Sequence, residues 1–191
     1  MINNVKEWLK SRLSEERYAH SIGSEEAARK LAKRFGVDED KAAFAALIHD
    51  NAKCMSPKEL LKIIEENNLP VSETEKQSTK TLHAPVSAYL AQHELGVNDE
   101  DILHAIRYHT IGRIGMSDLE KIVFLADKIE ANTREPEFRE KIIAKLNETN
   151  NLDEAILLCY DVTIRSLLER RLIISPETID VWNNLLHKLN K

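Results

Sequence analysis

The sequence predicts an all-α protein built as a bundle of helices, and three observations support this fold class. Apolar residues recur at spacings of three and four along most of the chain, as in amphipathic helices. Only five glycines and five prolines interrupt 191 residues, and runs of β-branched residues are few. No segment shows the strict alternation of a half-buried strand, so no sheet is expected.

The first half of the chain predicts four helices and one loop. A helix is expected from about Val5 into the Arg17–His20 region, followed by SEEAARKLAKRFG with Gly36 as its stop. DEDKAAFAALIHDNAK is apolar on all sides in its middle, which is typical of a central buried helix. SPKELLKIIEENN predicts a surface helix with Ser56 as its N-cap. The polar stretch LPVSETEKQSTKT is expected to be a loop.

The second half of the chain predicts only helices. A capping box from Ser117 to Glu120 opens one of them. The predicted helical segments are HAPVSAYLAQHELG, NDEDILHAIRYHT, SDLEKIVFLADKIEAN, and those around FREKIIAKLN, LDEAILLCYDVTIRSLLERR and SPETIDVWNNLLHKLN.

Composition excludes several classes of protein. A formal charge of −5 argues against a nucleic-acid-coating protein, which needs a basic face. No stretch approaches the roughly 20 apolar residues that cross a bilayer, and the N-terminus has no signal-peptide core. Cys54 and Cys159 lie far apart without a CxxC pattern, which predicts reduced core thiols. We therefore expect a cytoplasmic protein that binds neither nucleic acid nor a membrane.

An adjacent histidine and aspartate, His49 and Asp50, close the apolar run AAFAALI. Two titratable side chains at the end of a buried helix need partners, because unpaired burial costs several kcal/mol. Neighbouring helical side chains diverge by about 100°. One metal ion can use both only near the helix end, or with the aspartate bridging to a second ion. The alternative is a histidine bonded to a backbone carbonyl beside a solvated aspartate.

A second aspartate, Asp127, lies within the apolar segment KIVFLADKIE. The surrounding residues leave little polar surface for its carboxylate to face. A metal ion would satisfy the carboxylate, and a salt bridge to Arg107 or Arg134 would do so equally well.

Helical geometry separates two histidines of one predicted helix. With Ile102 set at zero and about 100° per residue, Ile106 falls at about 40° and His109 at about −20°. His104 falls at about 200°, on the opposite face. We therefore expect His109 to point inward and His104 to face solvent.

The same geometry does not choose between His83 and His93. Measured from Val86, they fall at about 60° and about −20°, and both are compatible with the apolar stripe. They would lie about 15 Å apart along the helix axis, so one cluster cannot use both.

These inward side chains together predict a metal site. Three or four of the seven histidines and two aspartates are candidates, which makes up to six ligands. Imidazole and carboxylate without thiolate favour iron, manganese, cobalt, nickel or zinc. Six ligands exceed what one catalytic ion needs. They suit two ions with a bridging carboxylate, an arrangement that activates water for displacement at phosphorus.

The ordered set of candidate ligands resembles the HD superfamily of metal-dependent phosphohydrolases, and more narrowly the bacterial YqeK family. The matching segments are RYAHSIG, LIHDNAK, HAPVSAYLA, AIRYHTIG, MSDLEKIVFLADKIEANTR and the tail LDEAILLCYDVTIRSLLERRLIISPETIDVWN. The resemblance covers nearly the whole chain. It implies one HD-type helical domain over residues 1–191, with a metal-site core at about residues 15–135 and C-terminal helices at about residues 136–191.

The resemblance also implies which residues hold two divalent ions, with iron the expected metal. It favours His83 over His93 because HAPVSAYLA carries the match, and His93 then becomes a core or helix-end histidine. One ion is expected among His20, His49, Asp50 and Asp127, and the other among Asp50, His83 and His109.

By the same resemblance, the activity is that of a hydrolase acting on acid anhydrides, which cleaves diadenosine tetraphosphate symmetrically to two ADP through water activated by two metal ions. Asp50 and Lys53 are the expected catalytic residues, Lys53 because it lies one turn after the HD pair. For Arg134, substrate contact and a structural salt bridge both stay open. The expected substrate-binding residues are His20, Lys53, Arg107, Thr110 and Arg134.

Other functions remain open at this point. The same site would suit another HD-type nucleotide phosphohydrolase or a cyclic-dinucleotide phosphodiesterase. A non-enzymatic helical nucleotide-sensing domain, with its histidines satisfied in the core, is a third hypothesis. The expected partners are a dinucleoside polyphosphate substrate and ADP- or GDP-like products. The apolar segment IDVWNNLLHKL offers a candidate homodimer surface, although such a stripe is more typical of a core.

Overall fold

A computed structural model describes residues 4–190, and within that range it contains helices and no strand. The all-α prediction is therefore confirmed for the described part of the chain. The helices are α1 (Val5–Lys10), α2 (Glu15–Phe35), α3 (Glu39–Ile48), α4 (Pro57–Glu66), α5 (Glu73–Gln77), α6 (His83–Leu95), α7 (Glu100–Tyr108), α8 (Asp118–Ile129), α9 (Pro136–Thr149), α10 (Leu152–Glu169) and α11 (Pro176–Leu189).

The helix boundaries follow from local capping chemistry. The predicted caps at Ser56 and Ser117 both form complete capping boxes, each with a glutamate three residues on. Gly36 ends α2 in the left-handed conformation, with φ of 71°, as predicted.

Two boundary predictions are wrong, and capping explains both. The first helix ends at Lys10, and Ser14 caps a new helix that runs unbroken to Phe35, so His20 lies inside α2. The expected loop LPVSETEKQSTKT contains the short helix α5, which Ser72 and Glu75 start with a capping box. In both places a serine ahead of a glutamate-rich turn satisfies free backbone N–H groups.

The hydrophobic core forms around α2, α3 and α8, which pack against one another, with α7, α9 and α10 closing it. α3 lies at the centre, and all of its residues from Ala45 to Ile48 are buried. A second cluster joins α4 to α6 through Leu60, Ile64 and Val86. This packing directs the ends of α3, α7 and α8 and the middle of α2 toward one interior point.

The C-terminal stripe and the cysteines have definite positions. Val181 and Leu185 of α11 are buried in the core, and Trp182 Nε1 donates to Asp161 of α10 at 2.8 Å. The candidate dimer stripe therefore packs within the chain. Both cysteines are free thiols, but only Cys159 is a core residue, because Cys54 is exposed. The described helices include none with the length and apolar character to span a bilayer.

Candidate metal centre

Helix ends deliver most of the predicted ligands to the interior. His49 and His109 are the C-cap residues of α3 and α7, and His83 is the first residue of α6. His20 lies inside α2, and Asp127 lies in the last turn of α8. Asp50 follows His49 in the turn after α3. All six side chains are buried.

Three of the four histidines are oriented by their own local backbone. The Nδ1 atoms of His49, His83 and His109 lie 2.6, 2.8 and 2.7 Å from the carbonyl oxygen three residues earlier. A carbonyl oxygen only accepts, so each Nδ1 carries the proton and each Nε2 keeps a lone pair. The local fold therefore fixes the tautomer that suits a metal ligand.

The Nε2 atoms meet in two pairs. His20 and His49 Nε2 lie 3.3 Å apart, and His83 and His109 Nε2 lie 3.1 Å apart. Asp127 Oδ1 lies 3.0 Å from His20 Nε2 and 3.5 Å from His49 Nε2. The first pair thus shares the Asp127 carboxylate.

Asp50 belongs to both pairs. Its Oδ1 lies 3.0 Å from His83 Nε2 and 3.3 Å from His109 Nε2. Its Oδ2 lies 3.8 Å from the Nε2 atoms of both His20 and His49. The result is two ligand groups, one of His20, His49, Asp50 and Asp127 and the other of Asp50, His83 and His109.

The donor set fits divalent cations. With the Nδ1 atoms protonated, imidazole lone pairs face carboxylate oxygens with no proton between them. Asp50 Oδ1 is buried and has no hydrogen-bond partner among the described residues. Buried acceptors that face one another repel, which is unfavourable. A cation in each group would replace this repulsion with attraction between the cation and every acceptor.

The protonation states also favour metal binding. Burial lowers the pKa of His109 to about 3, and burial likewise lowers the pKa of His83. Burial opposes ionisation of Asp50 and Asp127. His49 and His83 lower the pKa of Asp50, and Lys128 and Arg134 followed by the facing histidines lower that of Asp127, both well below the usual range. At neutral pH the carboxylates are therefore charged, while His83 and His109 are neutral and able to bind a cation.

Three cationic side chains border the cluster. Lys53 Nζ lies 3.0 Å from His83 Nε2 and 3.8 Å from Asp50 Oδ1, and burial lowers its pKa. Arg134 pairs with Asp127 Oδ1 and also donates to the Asp127 carbonyl, and Lys128 Nζ lies 3.1 Å from Asp127 Oδ2. Of the two arginines predicted as possible partners of Asp127, the structure therefore shows Arg134. The two oxygens of the Asp127 carboxylate are contacted by different cations, Oδ1 by Arg134 and Oδ2 by Lys128.

The remaining predicted residues lie in two different places. Thr110 lines a cavity of about 200 Å³ beside the cluster, and its buried Oγ1 has no hydrogen-bond partner. Arg107 instead donates to Glu75 and to the Pro70 carbonyl, both at 3.0 Å. Arg107 lines a second cleft, which shares Glu75 with this cavity.

The prediction that His109 points inward and His104 faces solvent is confirmed by their burial. His109 is 1% exposed, whereas His104 is an exposed residue. His83 is buried, and His93 is exposed near the end of α6, where its ring stacks on Tyr89.

Two residues near the cluster escaped the sequence analysis. Lys128 follows Asp127 directly and lines the cavity, and Glu130 lies 3.1 Å from His20 Nδ1. A signal for Glu130 was present, since it is three residues after Asp127 and so lies on the same helix face. In an apolar run it resembled an ordinary helix-end carboxylate.

The chain is an HD-domain protein, because a model of the HD domain matches residues 17–132. Among relatives, the chain is 42% identical over 178 residues to the symmetrical bis(5'-nucleosyl)-tetraphosphatase of Bacillus subtilis, covering 93% of this chain and 94% of the relative. It is 33% identical over 182 residues to the Staphylococcus aureus protein of the same name, covering 95% and 93%.

A solved structure supports the same grouping. The crystal structure of a predicted HD superfamily hydrolase involved in NAD metabolism from Clostridium acetobutylicum superposes with a TM-score of 0.91 at 32% identity, covering 96% of each chain. The chain therefore belongs to the HD-domain family and, within it, to the group that includes these symmetrical bis(5'-nucleosyl)-tetraphosphatases.

Proposed function

We propose that the chain hydrolyses diadenosine tetraphosphate symmetrically, adding one water and releasing two ADP. The observation that carries this proposal is the pair of buried ligand groups that share Asp50. Similarity over nearly the whole chain to proteins named for this activity selects the substrate. Iron is the expected metal, and manganese, cobalt, nickel and zinc suit the same ligands.

The two groups would hold two divalent ions. When bound, such a pair lowers the pKa of water and withdraws charge from a phosphoryl oxygen. Asp50 would bridge the ions, since one of its oxygens faces each pair of histidines. Its substitution should therefore affect both ions, whereas His109 and Asp127 each serve one group.

Lys53 and Arg134 are placed to bind the phosphate chain. Both reach the cluster from its rim, with 27% and 32% of their side chains exposed. A tetraphosphate that enters from this side would meet Lys53 at the leaving β-phosphate. There the ammonium would neutralise the charge that develops as the bond from phosphorus to the bridging oxygen breaks and ADP departs.

The cavity beside the cluster offers room for one nucleoside. The cavity is lined by hydroxyl groups of Thr110, Thr81 and Thr163. Apolar side chains, which include Phe124 and Ile173, complete its walls. Lys128 also lines the cavity, and its Nζ lies 3.1 Å from Asp127 Oδ2. Apolar walls suit stacking of a base, and the hydroxyls suit a ribose. The Thr110 hydroxyl, which lacks a partner, is the expected polar contact.

Arg107 has a different proposed role. Its ion pair with Glu75 joins α7 to α5, and residues of α5 line the nucleoside cavity. We expect Arg107 to affect substrate binding without contacting the substrate, by holding the α5 wall of the cavity in place. The cytoplasm is the proposed compartment, in keeping with the free thiols.

Product analysis tests the function. Purified protein loaded with manganese or iron should convert diadenosine tetraphosphate to ADP alone, and elemental analysis should find about two metals per chain. Asp50→Ala should lose metal and activity together. Formation of AMP and ATP, or an intact substrate, would refute symmetrical hydrolysis. Turnover of a cyclic dinucleotide or another nucleotide in its place would favour the other HD-type activities.

A further inference from the structure

His20 is supported differently from the other three histidines. Their Nδ1 atoms donate to backbone carbonyls within three residues, whereas His20 Nδ1 lies 3.1 Å from the carboxylate Oε1 of Glu130, 110 residues away in sequence. Thr133 Oγ1 also approaches this nitrogen, at 3.3 Å. His20 lies inside α2, where the backbone carbonyls are committed to the helix, so its ring needs a partner from elsewhere.

The C-terminal end of α8, where Glu130 is the C-cap residue, places two carboxylates on opposite sides of this one ring. Asp127 Oδ1 lies 3.0 Å from His20 Nε2, and Glu130 Oε1 lies 3.1 Å from Nδ1. The two residues are three apart, so both project from the same face of the helix. Asp127 thus lies on the side of the cluster, and Glu130 lies behind the ring.

Glu130 is itself held rigidly. Its side chain is fully buried, and its Oε2 accepts the Asn132 N–H at 2.6 Å, while its Oε1 accepts the Thr133 N–H at 3.0 Å. These hydrogen bonds hold Glu130 Oε1 as an acceptor beside the His20 ring.

The opposing surface of α2 is shaped for this carboxylate. Gly23 lies inside the helix, where glycine costs about 1 kcal/mol relative to alanine. A Cβ at this position would lie 2.3 Å from Glu130 Oε2 and 3.0 Å from Asn132 Nδ2. A side chain at position 23 would therefore displace the Glu130 carboxylate from its position beside His20.

We propose that Glu130 is a positioning residue, which accepts the Nδ1 proton of His20 and so directs the His20 Nε2 lone pair to the ion shared with His49, Asp50 and Asp127. The inference rests on the proposed two-metal site. A carboxylate behind a histidine ligand orients the ring and raises its basicity, and loss of such a partner typically weakens metal binding 10- to 100-fold. Glu130 touches only one group, so only one of the two ions should be affected.

Metal titration tests the proposal. Chelator-stripped wild type and Glu130→Gln are titrated with Mn²⁺ by calorimetry, with electron paramagnetic resonance counting bound ions. Glutamine keeps the size and a neutral acceptor, so the fold should persist. One of the two dissociation constants should rise by about 10- to 100-fold while the other stays unchanged. A role in folding alone would leave both unchanged.

Two further variants sharpen the result. Gly23→Ala should weaken binding of the same ion. Adding Glu130→Gln to it should raise that dissociation constant only a little further, because both substitutions disrupt the same contact. Glu120→Gln is the matched control, since this glutamate is equally buried at the other end of α8 and pairs with Arg113. It should leave both constants at wild-type values.

The outcomes separate the two claims. Unchanged constants in both Glu130→Gln and Gly23→Ala, with two ions still bound by wild type, would overturn the positioning role alone. An equal rise in the dissociation constants of both ions would also overturn the positioning role, because Glu130 contacts only one of the two groups. A wild-type chain that takes up no metal would overturn the positioning role together with the proposed function.

Discussion

Asp50→Asn should abolish stabilisation by both metal ions, whereas His109→Gln should abolish it for one. Asp50 directs Oδ1 to His83 and His109 and Oδ2 to His20 and His49. An asparagine has one oxygen and presents an NH₂ group to the other pair. It also removes the single negative charge that the two groups share. His109 belongs to only one group, so its loss leaves the four ligands of the other group in place.

The magnitude follows from linkage between binding and folding. An ion that binds only the folded chain at 100 times its dissociation constant stabilises it by about 2.7 kcal/mol. Two ions would contribute about 5 kcal/mol, and a domain of this size gains about 2–4 °C in Tm per kcal/mol. Wild type should therefore gain about 10–20 °C on loading. His109→Gln should gain about half of this shift, and Asp50→Asn almost none.

Thermal unfolding of chelator-stripped protein with and without Mn²⁺ measures these shifts. The control is Asp161→Asn, which removes a carboxylate of α10 but can still accept the Trp182 Nε1 hydrogen bond. It should show the full wild-type shift. Retention of that shift by Asp50→Asn would refute the bridging role. A complete loss in His109→Gln would refute the division into two ligand groups.

Three further predictions concern the rim and the protonation of the site. Lys53→Met should lower kcat at least 10-fold, measured by steady-state kinetics. Mn²⁺ should bind equally or more tightly in calorimetry, because the ammonium near His83 Nε2 no longer competes with the ion. Arg134→Ala should destabilise the metal-free chain by about 1–2 kcal/mol in urea unfolding, and the metal-loaded chain by less, since the ion then neutralises Asp127. The pKa of His109 is about 3 in the folded chain and about 6.5 when unfolded, so below pH 6.5 the unfolded chain binds a proton that the folded chain does not. His109 should therefore lower metal-free stability by about 1.4 kcal/mol per pH unit between pH 6 and pH 4 in urea titrations, and His109→Gln should reduce the measured slope by about this amount.

The elements that the sequence predicted well are those governed by local chemistry. The capping boxes at Ser56 and Ser117 and the left-handed Gly36 depend on residues within four positions. The orientation of His109 against His104 follows from the helical period alone. The missed helix α5 carried the same kind of signal, a serine with a glutamate three residues later, but lacked an apolar stripe to draw attention to it.

The features that the sequence did not predict depend on packing between distant segments. Periodicity left His83 level with His93, because only the docking of α6 decides which end of that helix faces the interior. The pairing of Arg134 with Asp127 was one of two arginine options, and the structure shows that Arg107 is held by Glu75. The contact between Glu130 and His20 spans 110 residues, so the spacing of Glu130 from Asp127 does not show which distant side chain it meets.

The same contrast makes the two ligand groups physically unequal. His83 and His109 are oriented by carbonyls of their own chain segments, so the local fold of α6 and α7 sets the direction of each ring relative to its own backbone. His20 is oriented by Glu130 and faces Asp127, so its group is complete only when α2 has docked on α8. Binding of that ion is therefore coupled to tertiary packing along the α2–α8 contact. A substitution that loosens this contact should release one ion before the other, even when the substituted residue touches no metal ligand.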